Sequence, residues 1–503
     1  MFSRGCVLLV LMMLPAIGLA KPRPRAKSTS KAPQGRHSAV PRSGAHSGGR
    51  AVASRGHHAK AHQSAAPFHP RYSMARPVQQ PTETQADAGG VQEPPVPPEG
   101  TAAPQAGESV LGEAGSRTLL YPHALDAFFR ALAGRRSGAS DAASSPGAST
   151  VRILQFGDSH TAADIFTGQM RALFQAKFGD GGLGFQYPGH PFPGYRLLGS
   201  TRSQTSGWVT QGNRFNQLGD GDTGLGGIAI STSRPGESIF VTTTCETLQV
   251  QYLRQPGGGA LDFSDNGQPV SEIKTATDAG DATRAAGTFT YACSPGVHEF
   301  QLITMESAPV RLLGLVTEQA GVTYECLGIN GAVAPLMLRW NQQMFADYLG
   351  QRNPNLIVLA YGTNEASENA ARNPQYVADF HELLTNLHRI VPDASILVLG
   401  PYDRALRMGR GRRAQWRTST AIDRIIADQR EACRVDNCAF YDQRARMGGA
   451  GVMSHLVATG LAQGDHTHLT GTGYRVLADA LYRDLMGVYN TYHQTAGTTG
   501  QKD

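Results

Sequence analysis

Short apolar runs alternate with amphipathic helical stretches along much of this chain, and this alternation restricts the possible folds more than any other feature. The apolar runs at 151–156, 356–360 and 395–400 have the length and composition of buried strands. Apolar residues recur at helical spacing at 119–133, 165–178, 332–349, 376–390, 414–433 and 473–489. The pattern predicts an α/β fold in which helices cover both faces of a mostly parallel sheet.

The segment between about 197 and 318 has a different texture and divides the predicted sheet. Turn-rich pieces such as 257–259 and 265–267 separate short alternating runs at 227–231, 239–242, 248–252, 288–291 and 297–303. Strands of this spacing predict an inserted all-β sandwich at 199–317, between two parts of the α/β domain at 117–198 and 318–490. Because the insert interrupts one sheet, we expect its ends to lie close together and the remaining core to fold without it.

Residues 1–20 have the features of a secretory signal peptide. Arg4 precedes an apolar run that ends in Gly18-Leu19-Ala20, and this order predicts cleavage after Ala20. The run is short for a membrane span, which needs about 20 apolar residues; an uncleaved anchor is the alternative interpretation. Under both interpretations the folded part of the chain is exported, and we expect a periplasmic or secreted bacterial protein.

The excess positive charge lies next to this signal. The chain has 46 Lys and Arg and 40 Asp and Glu, but thirteen basic residues and no acidic residue precede position 81, which leaves 33 against 40, or about −7, for the rest. The Ala, Pro, Ser and Gly content of 21–116 predicts a disordered tether, either an inert spacer or a contact to anionic envelope polymers. A disordered tail is also predicted at 491–503. No nucleic-acid partner is expected, because the basic residues are outside the folded part.

Five cysteines follow the signal, and an oxidising compartment favours disulfides between them. We expect Cys245 to pair with Cys293 and Cys433 with Cys438, which leaves Cys326 free. A zinc site is the competing interpretation, but the chain has no CxxC pair.

The first polar motif, Gly157-Asp158-Ser159-His160, directly follows the first predicted strand and opens a helix. The carboxyl edge of an open α/β sheet is where ligand sites lie, and helix N-terminal amides favour an oxyanion. Ser159 is therefore a candidate nucleophile. Asp and Ser are also ordinary helix N-caps, so a purely structural role is the alternative.

A second motif, Asp465-His466-Thr467-His468, precedes the last predicted helix. Serine is a poor nucleophile until a base removes its proton, and an imidazole oriented by a carboxylate supplies that base. Asp465 lies three residues before His468, so one loop provides both groups. His466 is expected to be a loop residue.

Two further motifs supply candidate oxyanion donors. Gly328-Ile-Asn-Gly331 precedes a helix, and Gly362-Thr-Asn-Glu365 ends the 356–360 strand. The backbone amides of Ser159 and Gly331 and the side-chain amide of Asn364 are suitable donors, each worth about 3 kcal/mol in a transition state.

The four motifs together resemble the SGNH (GDSL-type) hydrolase family, whose blocks supply serine, glycine, asparagine and histidine in this order. The matching positions are Ser159, Gly331, Asn364 and His468, with Asp465 in the family's Asp-x-x-His place. The resemblance implies a three-layer, flavodoxin-like parallel sheet. Two features depart from the common family pattern: the long insert, and His160 at a position where Leu is common. Both departures resemble a subgroup of periplasmic enzymes similar to peptidoglycan O-acetylesterases, which carry a carbohydrate-binding-like β-sandwich.

The resemblance implies an exported serine carbohydrate esterase with Ser159, Asp465 and His468 as catalytic residues and no cofactor or metal. Its substrate would be an acetylated polysaccharide such as peptidoglycan, cellulose or alginate, and an exopolysaccharide synthesis or secretion system is an expected partner. A polysaccharide O-acetyltransferase using the same site and a non-catalytic polysaccharide-binding protein are the alternative functions.

Two alternatives concern individual side chains. The Asp and His residues of the first and last motifs are candidate metal ligands: Asp158, His160, Asp465, His466 and His468. In the insert, Trp208, Tyr252 and Phe263 either stack on sugar rings or, as we expect, pack in a core. Trp340 and Trp416 fall in predicted helices, where we expect packing roles.

Overall fold

The computed structural model describes residues 118–137, 150–212, 218–366 and 375–499. The predicted signal peptide and tether therefore lie outside the described residues. The strands within these ranges are β1 (Leu119–Leu120), β2 (Val151–Gly157), β3 (Gly184–Gln186), β4 (Thr201–Gln204), β5 (Val209–Gln211), β6 (Ala229–Thr232), β7 (Ser238–Arg254), β8 (Ala260–Asp265), β9 (Gln268–Lys274), β10 (Ala285–Thr304), β11 (Val310–Glu318), β12 (Val322–Gly328), β13 (Leu356–Ala360), β14 (Ser395–Leu399), β15 (Ala405–Met408), β16 (Gln415–Thr418) and β17 (Ala439–Tyr441). The helices are α1 (Asp126–Ser137), α2 (Ser159–Ala162), α3 (Ile165–Phe178), α4 (Gln342–Arg352), α5 (Gln375–Ile390), α6 (Ala421–Val435), α7 (Gln443–Met447), α8 (Met453–Ala458) and α9 (Gly471–Thr499).

A six-stranded sheet in the order β1-β17-β14-β13-β2-β12 forms the centre of the hydrolase part. All neighbouring pairs are parallel except β1, which runs antiparallel to β17. Strand β2 precedes the insert in sequence, whereas its two neighbours, β12 and β13, follow the insert. The predicted division of one sheet by a long insertion is therefore present.

Side chains that alternate along the strands build one core on each face of this sheet. Leu154 and Phe156 of β2 pack in the cluster that contains α4, α5 and α6. Ile153 points to the opposite face, where the cluster contains α1, α3 and α9. Burial on both faces explains why the strands are continuously apolar, and it gives the predicted three-layer architecture.

Several helix boundaries differ from the sequence prediction, and each difference has a local cause. Helix α1 begins at Asp126 because Tyr121 adopts a left-handed conformation (φ 55°) and a 3-10 turn opens with Pro122. In the segment predicted as one helix from 332, a 3-10 turn at Ala334–Arg339 precedes α4, which Asn341 caps.

The last helix contradicts the prediction of a disordered tail from residue 491, because α9 continues to Thr499. Aromatic contacts extend its packing: the Tyr492 ring lies 5.9 Å from the Phe129 ring, and His493 stacks on Tyr489. Of the described helices, none combines the length and apolarity needed to cross a membrane.

The insertion is all-β, as predicted, and its eight strands, β4 to β11, form one nine-stranded antiparallel sheet together with β3. Runs predicted as separate strands join in the 17-residue β7 and the 20-residue β10, which pair along most of their length. The register shifts between Ala292 and Gly296. Phe289 and Phe300, on either side of this shift, both contact Phe263, so the two halves of the sheet share one core.

The insertion also shares a core with the hydrolase part, and folding of the catalytic core without the insertion stays a prediction. Leu253 and Leu313 of the insertion belong to the same buried cluster as Trp340 and Phe345 of the hydrolase part. The Tyr348 hydroxyl lies 2.8 Å from the carbonyl oxygen of Tyr252. Removal of the insertion would expose this apolar surface to water.

Strand β3 strengthens this connection. It lies within 117–198, which was predicted as hydrolase sequence, yet it pairs with β11 at the end of the insertion. Phe185 of β3 packs in the shared core. The antiparallel sheet therefore includes residues from outside 199–317.

A buried ion network fastens the end of the insertion to the catalytic sheet. The Arg352 guanidinium contacts Glu325 on β12 and lies 2.7 Å from Glu318 at the end of β11. Glu318 also accepts from Arg152 of β2 at 2.8 Å. Because all these groups are largely removed from water, each charge depends on its partners.

The cysteines lie near the predicted partners but are free thiols. The Sγ atoms of Cys245 and Cys293 are 3.7 Å apart across β7 and β10. Cys433 and Cys438 are buried at the end of α6, and Cys326 is buried on β12. The predicted pairs are close in space, but the predicted disulfides are not present.

Replacement of Arg352 by Met should lower the free energy of unfolding by about 3–5 kcal/mol, because it leaves the buried Glu325 carboxylate without its cation. Urea denaturation followed by circular dichroism measures this loss. The double variant Arg352→Met/Glu325→Gln should regain part of it, because Gln removes the unpaired charge. Equal stability of the single variant and the unmodified protein would contradict a structural role for the network.

Candidate active site

The register of the central sheet brings three of the four sequence motifs to one edge. Gly157 at the end of β2 lies opposite Gly328 of β12 on one side and Ala360 of β13 on the other. The Ile329 amide also donates to the Gly157 carbonyl oxygen at 3.0 Å. The motifs that follow these strands therefore begin from one aligned row at the carboxyl edge.

The first motif turns sharply from strand to helix. A Cβ atom at Gly157 would lie 2.1 Å from the Thr161 hydroxyl oxygen, so this position accepts only glycine. Asp158 caps α2, since its carboxylate accepts from the His160 amide at 2.9 Å. Ser159 is the first residue of α2 and remains partly exposed. Capping by Asp158 thus leaves the serine hydroxyl available.

Ser159, His468 and Asp465 form one chain of hydrogen bonds. The Ser159 hydroxyl lies 2.9 Å from His468 Nε2, and His468 Nδ1 lies 2.6 Å from Asp465 Oδ2. With Asp465 ionised, Nδ1 carries the proton and Nε2 is free to accept one from the hydroxyl. This arrangement allows the imidazole to act as a general base toward serine.

The loop that carries Asp465 and His468 is rigidly held. Asp465 Oδ1 accepts from the backbone amides of Thr467 at 2.9 Å and His468 at 3.0 Å. Partial burial raises the pKa of Asp465, but the hydrogen bonds from the His468 side chain and these two amides outweigh it and hold the pKa below its usual value. Asp465 is therefore ionised at neutral pH and orients the His468 ring through Nδ1.

The candidate oxyanion donors lie next to this chain. Asn364 follows β13, and its side-chain amide donates to the carbonyl oxygen of Ala332 at 2.9 Å and lies 3.3 Å from Asp158 Oδ2. Gly331 occupies the turn after β12, directly before Ala332, with φ +75°, a conformation that favours glycine. The structure thus brings the glycine and asparagine motifs into contact.

Two buried carboxyl groups lie beneath the site. Burial is the main reason that the pKa of Asp158 rises to about 7, against the opposing effects of the His160 amide and the His468 charge. Burial likewise raises the pKa of Glu365 to about 7. Glu365 accepts from the amides of Ala334 at 2.8 Å and Gly362 at 3.0 Å, and it fixes the loop that carries Asn364.

The remaining histidines of the motifs point to other partners. The buried His160 ring lies 5.0 Å from the His468 ring, and its Nδ1 is 2.8 Å from the Tyr474 hydroxyl. Burial and the neighbouring His468 lower the pKa of His160. His466 stacks on Trp416 instead of facing Ser159. Within the described residues, no group of three or more His, Cys, Asp or Glu side chains has a metal-binding arrangement.

The aromatic residues considered in the insertion are core residues. Trp208, Tyr252 and Phe263 all belong to one buried cluster, in agreement with the packing interpretation. Trp340 is also buried. Trp416 differs from the expectation, because it lies on strand β16 outside any helix and is 39% exposed.

Comparison with known families identifies the second part of the chain. Residues 304–476 match the GDSL-like lipase/acylhydrolase family. The match contains the glycine, asparagine and histidine motifs, whereas the serine motif lies before it. No curated protein matches the chain significantly.

A comparison with solved structures extends the similarity beyond residues 304–476. A solved structure of a peptidoglycan O-acetylesterase has 25% sequence identity and a TM-score of 0.60, and the match covers 73% of this chain and 96% of that chain. A family two carbohydrate esterase mutant from Clostridium thermocellum has 14% identity and a TM-score of 0.26, covering 56% and 98% of the two chains. The O-acetylesterase similarity confirms the predicted three-layer fold, whereas the lower score supports no argument.

The buried Asp158 should make stability depend on pH. Because folding raises its pKa from 3.8 to about 7, the folded state binds the proton more tightly, and this contribution is complete below pH 4 and lost as pH rises through 7. Asp158→Asn should therefore gain stability relative to the unmodified protein between pH 5 and pH 8, by roughly 1–4 kcal/mol.

Chemical denaturation at both pH values measures this difference. Asp393→Asn, which alters an exposed aspartate, is the matched control and should show no such trend. A constant difference between Asp158→Asn and the unmodified protein across this range would contradict the role assigned to burial.

Proposed function

Because this chain carries a GDSL-like lipase/acylhydrolase domain and is an SGNH-type esterase, we propose that it is an exported enzyme that removes O-acetyl groups from a cell-envelope or extracellular polysaccharide. The observation that carries the proposal is the hydrogen-bonded chain of Ser159, His468 and Asp465 at the carboxyl edge of the sheet. A structural serine cap would not require an imidazole that is itself oriented by a carboxylate.

In the proposed mechanism, Ser159 Oγ attacks the acetyl carbonyl carbon while His468 Nε2 takes the hydroxyl proton. Asp465 holds the Nδ1–H of His468 and stabilises the imidazolium that forms. The sugar oxygen then leaves with the proton from His468, and an acetyl group remains on Ser159. Water attacks this ester with His468 again as base, which releases acetate and restores Ser159.

The negative charge of the tetrahedral intermediate needs fixed donors. We assign this task to the backbone amides of Ser159 and Gly331 and to the side chain of Asn364. In the resting site the Asn364 amide is close to two acceptors, of which Asp158 is the more distant at 3.3 Å. Exchange of this long contact for the substrate oxyanion provides a stronger, charge-assisted hydrogen bond.

The exposure of the site supports a polymeric substrate. The side chains of His468 and Asp465 are 29% and 42% exposed, so an acetyl group on a bulky chain reaches Ser159 without entering a closed cavity. The similarity to a peptidoglycan O-acetylesterase supports an acetylated glycan as substrate. The signal-like residues 1–20 support export to the periplasm or beyond.

Ser159→Ala should abolish acetate release from O-acetylated peptidoglycan, cellulose or alginate, with a loss of roughly 10⁴-fold or more, because no nucleophile remains. Acetate assays with each polymer, and p-nitrophenyl acetate hydrolysis, measure this. Ser454→Ala removes the hydroxyl that lies 3.4 Å from His466, and this control should retain activity.

Unchanged turnover by Ser159→Ala would refute the serine mechanism. The same assays with an added sugar acceptor test where the acetyl group goes. Acetylated acceptor in place of free acetate would show that the protein is a transferase, and no acetyl release from any ester would indicate a binding protein.

Asn364→Ala should lower kcat about 100–1000-fold and leave KM near its original value, because the amide acts mainly on charge that develops in the transition state. Steady-state kinetics with p-nitrophenyl acetate separates the two constants. Asn330→Ala, which removes an exposed amide from the Gly331 turn, is the control. A large rise in KM with normal kcat would place Asn364 in substrate binding instead.

A further inference from the structure

A small β-hairpin stands apart from both large sheets, next to the candidate active site. Strands β15 and β16 pair only with each other, with Arg407 opposite Trp416 and Ala405 opposite Thr418. The sequence had predicted that this region would enter a helix from 414, whereas helix α6 begins only at Ala421.

The hairpin is attached to two of the loops that carry candidate active-site groups, those of His468 and Asn364. The Ala405 amide donates to the His466 carbonyl oxygen at 3.0 Å, and the Trp416 ring stacks on the His466 ring at 3.9 Å between centroids. On the other side, Arg404 Nη1 donates to the Thr363 carbonyl oxygen at 3.1 Å, one residue before Asn364. The hairpin therefore has a fixed position beside the loops that carry His468 and Asn364.

Trp416 and Arg407 lie on the same face of this hairpin. Residues directly opposite in an antiparallel pair project to one side, and Trp416 projects toward the His466 loop. One face of its ring covers His466, and the side chain is 39% exposed. An exposed indole and an exposed guanidinium are thus side by side at the edge of the site.

The hairpin carries a concentration of positive charge, most of which forms no ion pair within the described part of the fold. Six arginines and no acidic residue occur between 404 and 418, although residues 81–503 as a whole are net negative. The exposed guanidiniums have no ion-pair partner among the described residues: Arg407, Arg410, Arg413 and Arg417. The neighbouring Asp403 is buried and accepts from the Gly451 and Met453 amides.

We propose that this hairpin is a substrate subsite for an acidic glycan, in which Trp416 packs against a sugar ring and Arg407 binds a carboxylate on that sugar or beside it. This inference rests on the proposed function and narrows its substrate class. The planar guanidinium matches a carboxylate with two parallel hydrogen bonds, and an aromatic face covers the apolar face of a pyranose.

A carboxylate on or beside a sugar ring occurs in two kinds of acetylated polymer. Uronic acids carry the carboxylate on the ring, whereas peptidoglycan carries carboxylates on the stem peptides beside the ring, and on the lactyl group only where the peptide is absent. Acetylated cellulose has neither. Contacts between the hairpin and the polymer lie away from the reacting ester, and they improve catalysis by orienting the polymer chain. Because one of these contacts binds a carboxylate, they favour acidic polymers over neutral ones.

The test compares acetate release by the full chain from acetylated alginate, O-acetylated peptidoglycan and acetylated cellulose. Arg407→Gln should lower the ratio of kcat/KM on an acidic polymer to kcat/KM on cellulose by about tenfold. Trp416→Ala should lower kcat/KM on the polymers relative to p-nitrophenyl acetate, and Trp416→Phe should recover most of that loss. Arg430→Gln, an exposed arginine on α6, is the charge-matched control and should leave the ratio unchanged.

The alginate and peptidoglycan arms identify the source of the carboxylate, because the ratio changes in the arm whose carboxylate Arg407 binds. An Arg407→Gln ratio equal to that of Arg430→Gln in both arms would overturn the subsite. If the protein releases no acetate from any polymer, the proposed function fails. A binding experiment then tests the proposed subsite independently of acetate release.

That binding experiment uses calorimetry of the Ser159→Ala protein with deacetylated alginate and with peptidoglycan strands. Additional Arg407→Gln should weaken binding of at least one by about fivefold relative to Arg430→Gln. Equal weakening in both variants would overturn the proposal. Equally tight binding of single-stranded DNA would also overturn it, because the hairpin would then be a general polyanion surface.

Discussion

The return of the chain to strand β2 after the insertion is the constraint on which the rest of the structure depends. Strands β12 and β13 must pair with β2 from either side, in a register that aligns Gly157 with Gly328 and Ala360. A shift of either neighbour along β2 would move a whole motif away from the edge. The backbone hydrogen bonds of three buried strands therefore set the distances between Ser159, Gly331 and Asn364 before any side chain contributes.

The insertion is not a separate module. It packs against the catalytic part and helps to hold this register. Its sheet shares apolar surface with α4, and its last strand ends at Glu318, which two arginines of the hydrolase part hold. A buried ion network contributes little net stability. It does disfavour misplaced strands, because a displaced partner leaves an unpaired buried charge. The insertion and the catalytic edge are thus parts of one packed unit.

Electrostatics divides the site into two zones. Beneath it, the buried carboxyl groups of Asp158 and Glu365 have raised pKa values because burial disfavours their charge, and the amides around them fix the loops. At the surface, Asp465 is ionised and the arginine-rich hairpin remains hydrated. The buried zone serves rigidity, whereas the exposed zone is the part that would meet charged groups of the substrate under our proposal.

The sequence by itself determined the α/β class, the interrupted sheet and the four motifs, because periodicity and short polar blocks at strand ends are local properties of the chain. It also anticipated that Trp208 and Phe263 pack in the insertion core. The catalytic roles of Ser159, Asp465 and His468 remain predictions, although the geometry brings the three together.

Only the tertiary structure decided how the parts combine. The union of short runs into β7 and β10, the core shared across the insertion boundary and the extension of α9 to Thr499 all depend on contacts between residues distant in sequence. Trp416 is the clearest case: its local sequence suited a helix, but pairing with Arg407 and stacking on His466 made it an exposed strand residue. Local propensity is weak, so such long-range packing overrides it.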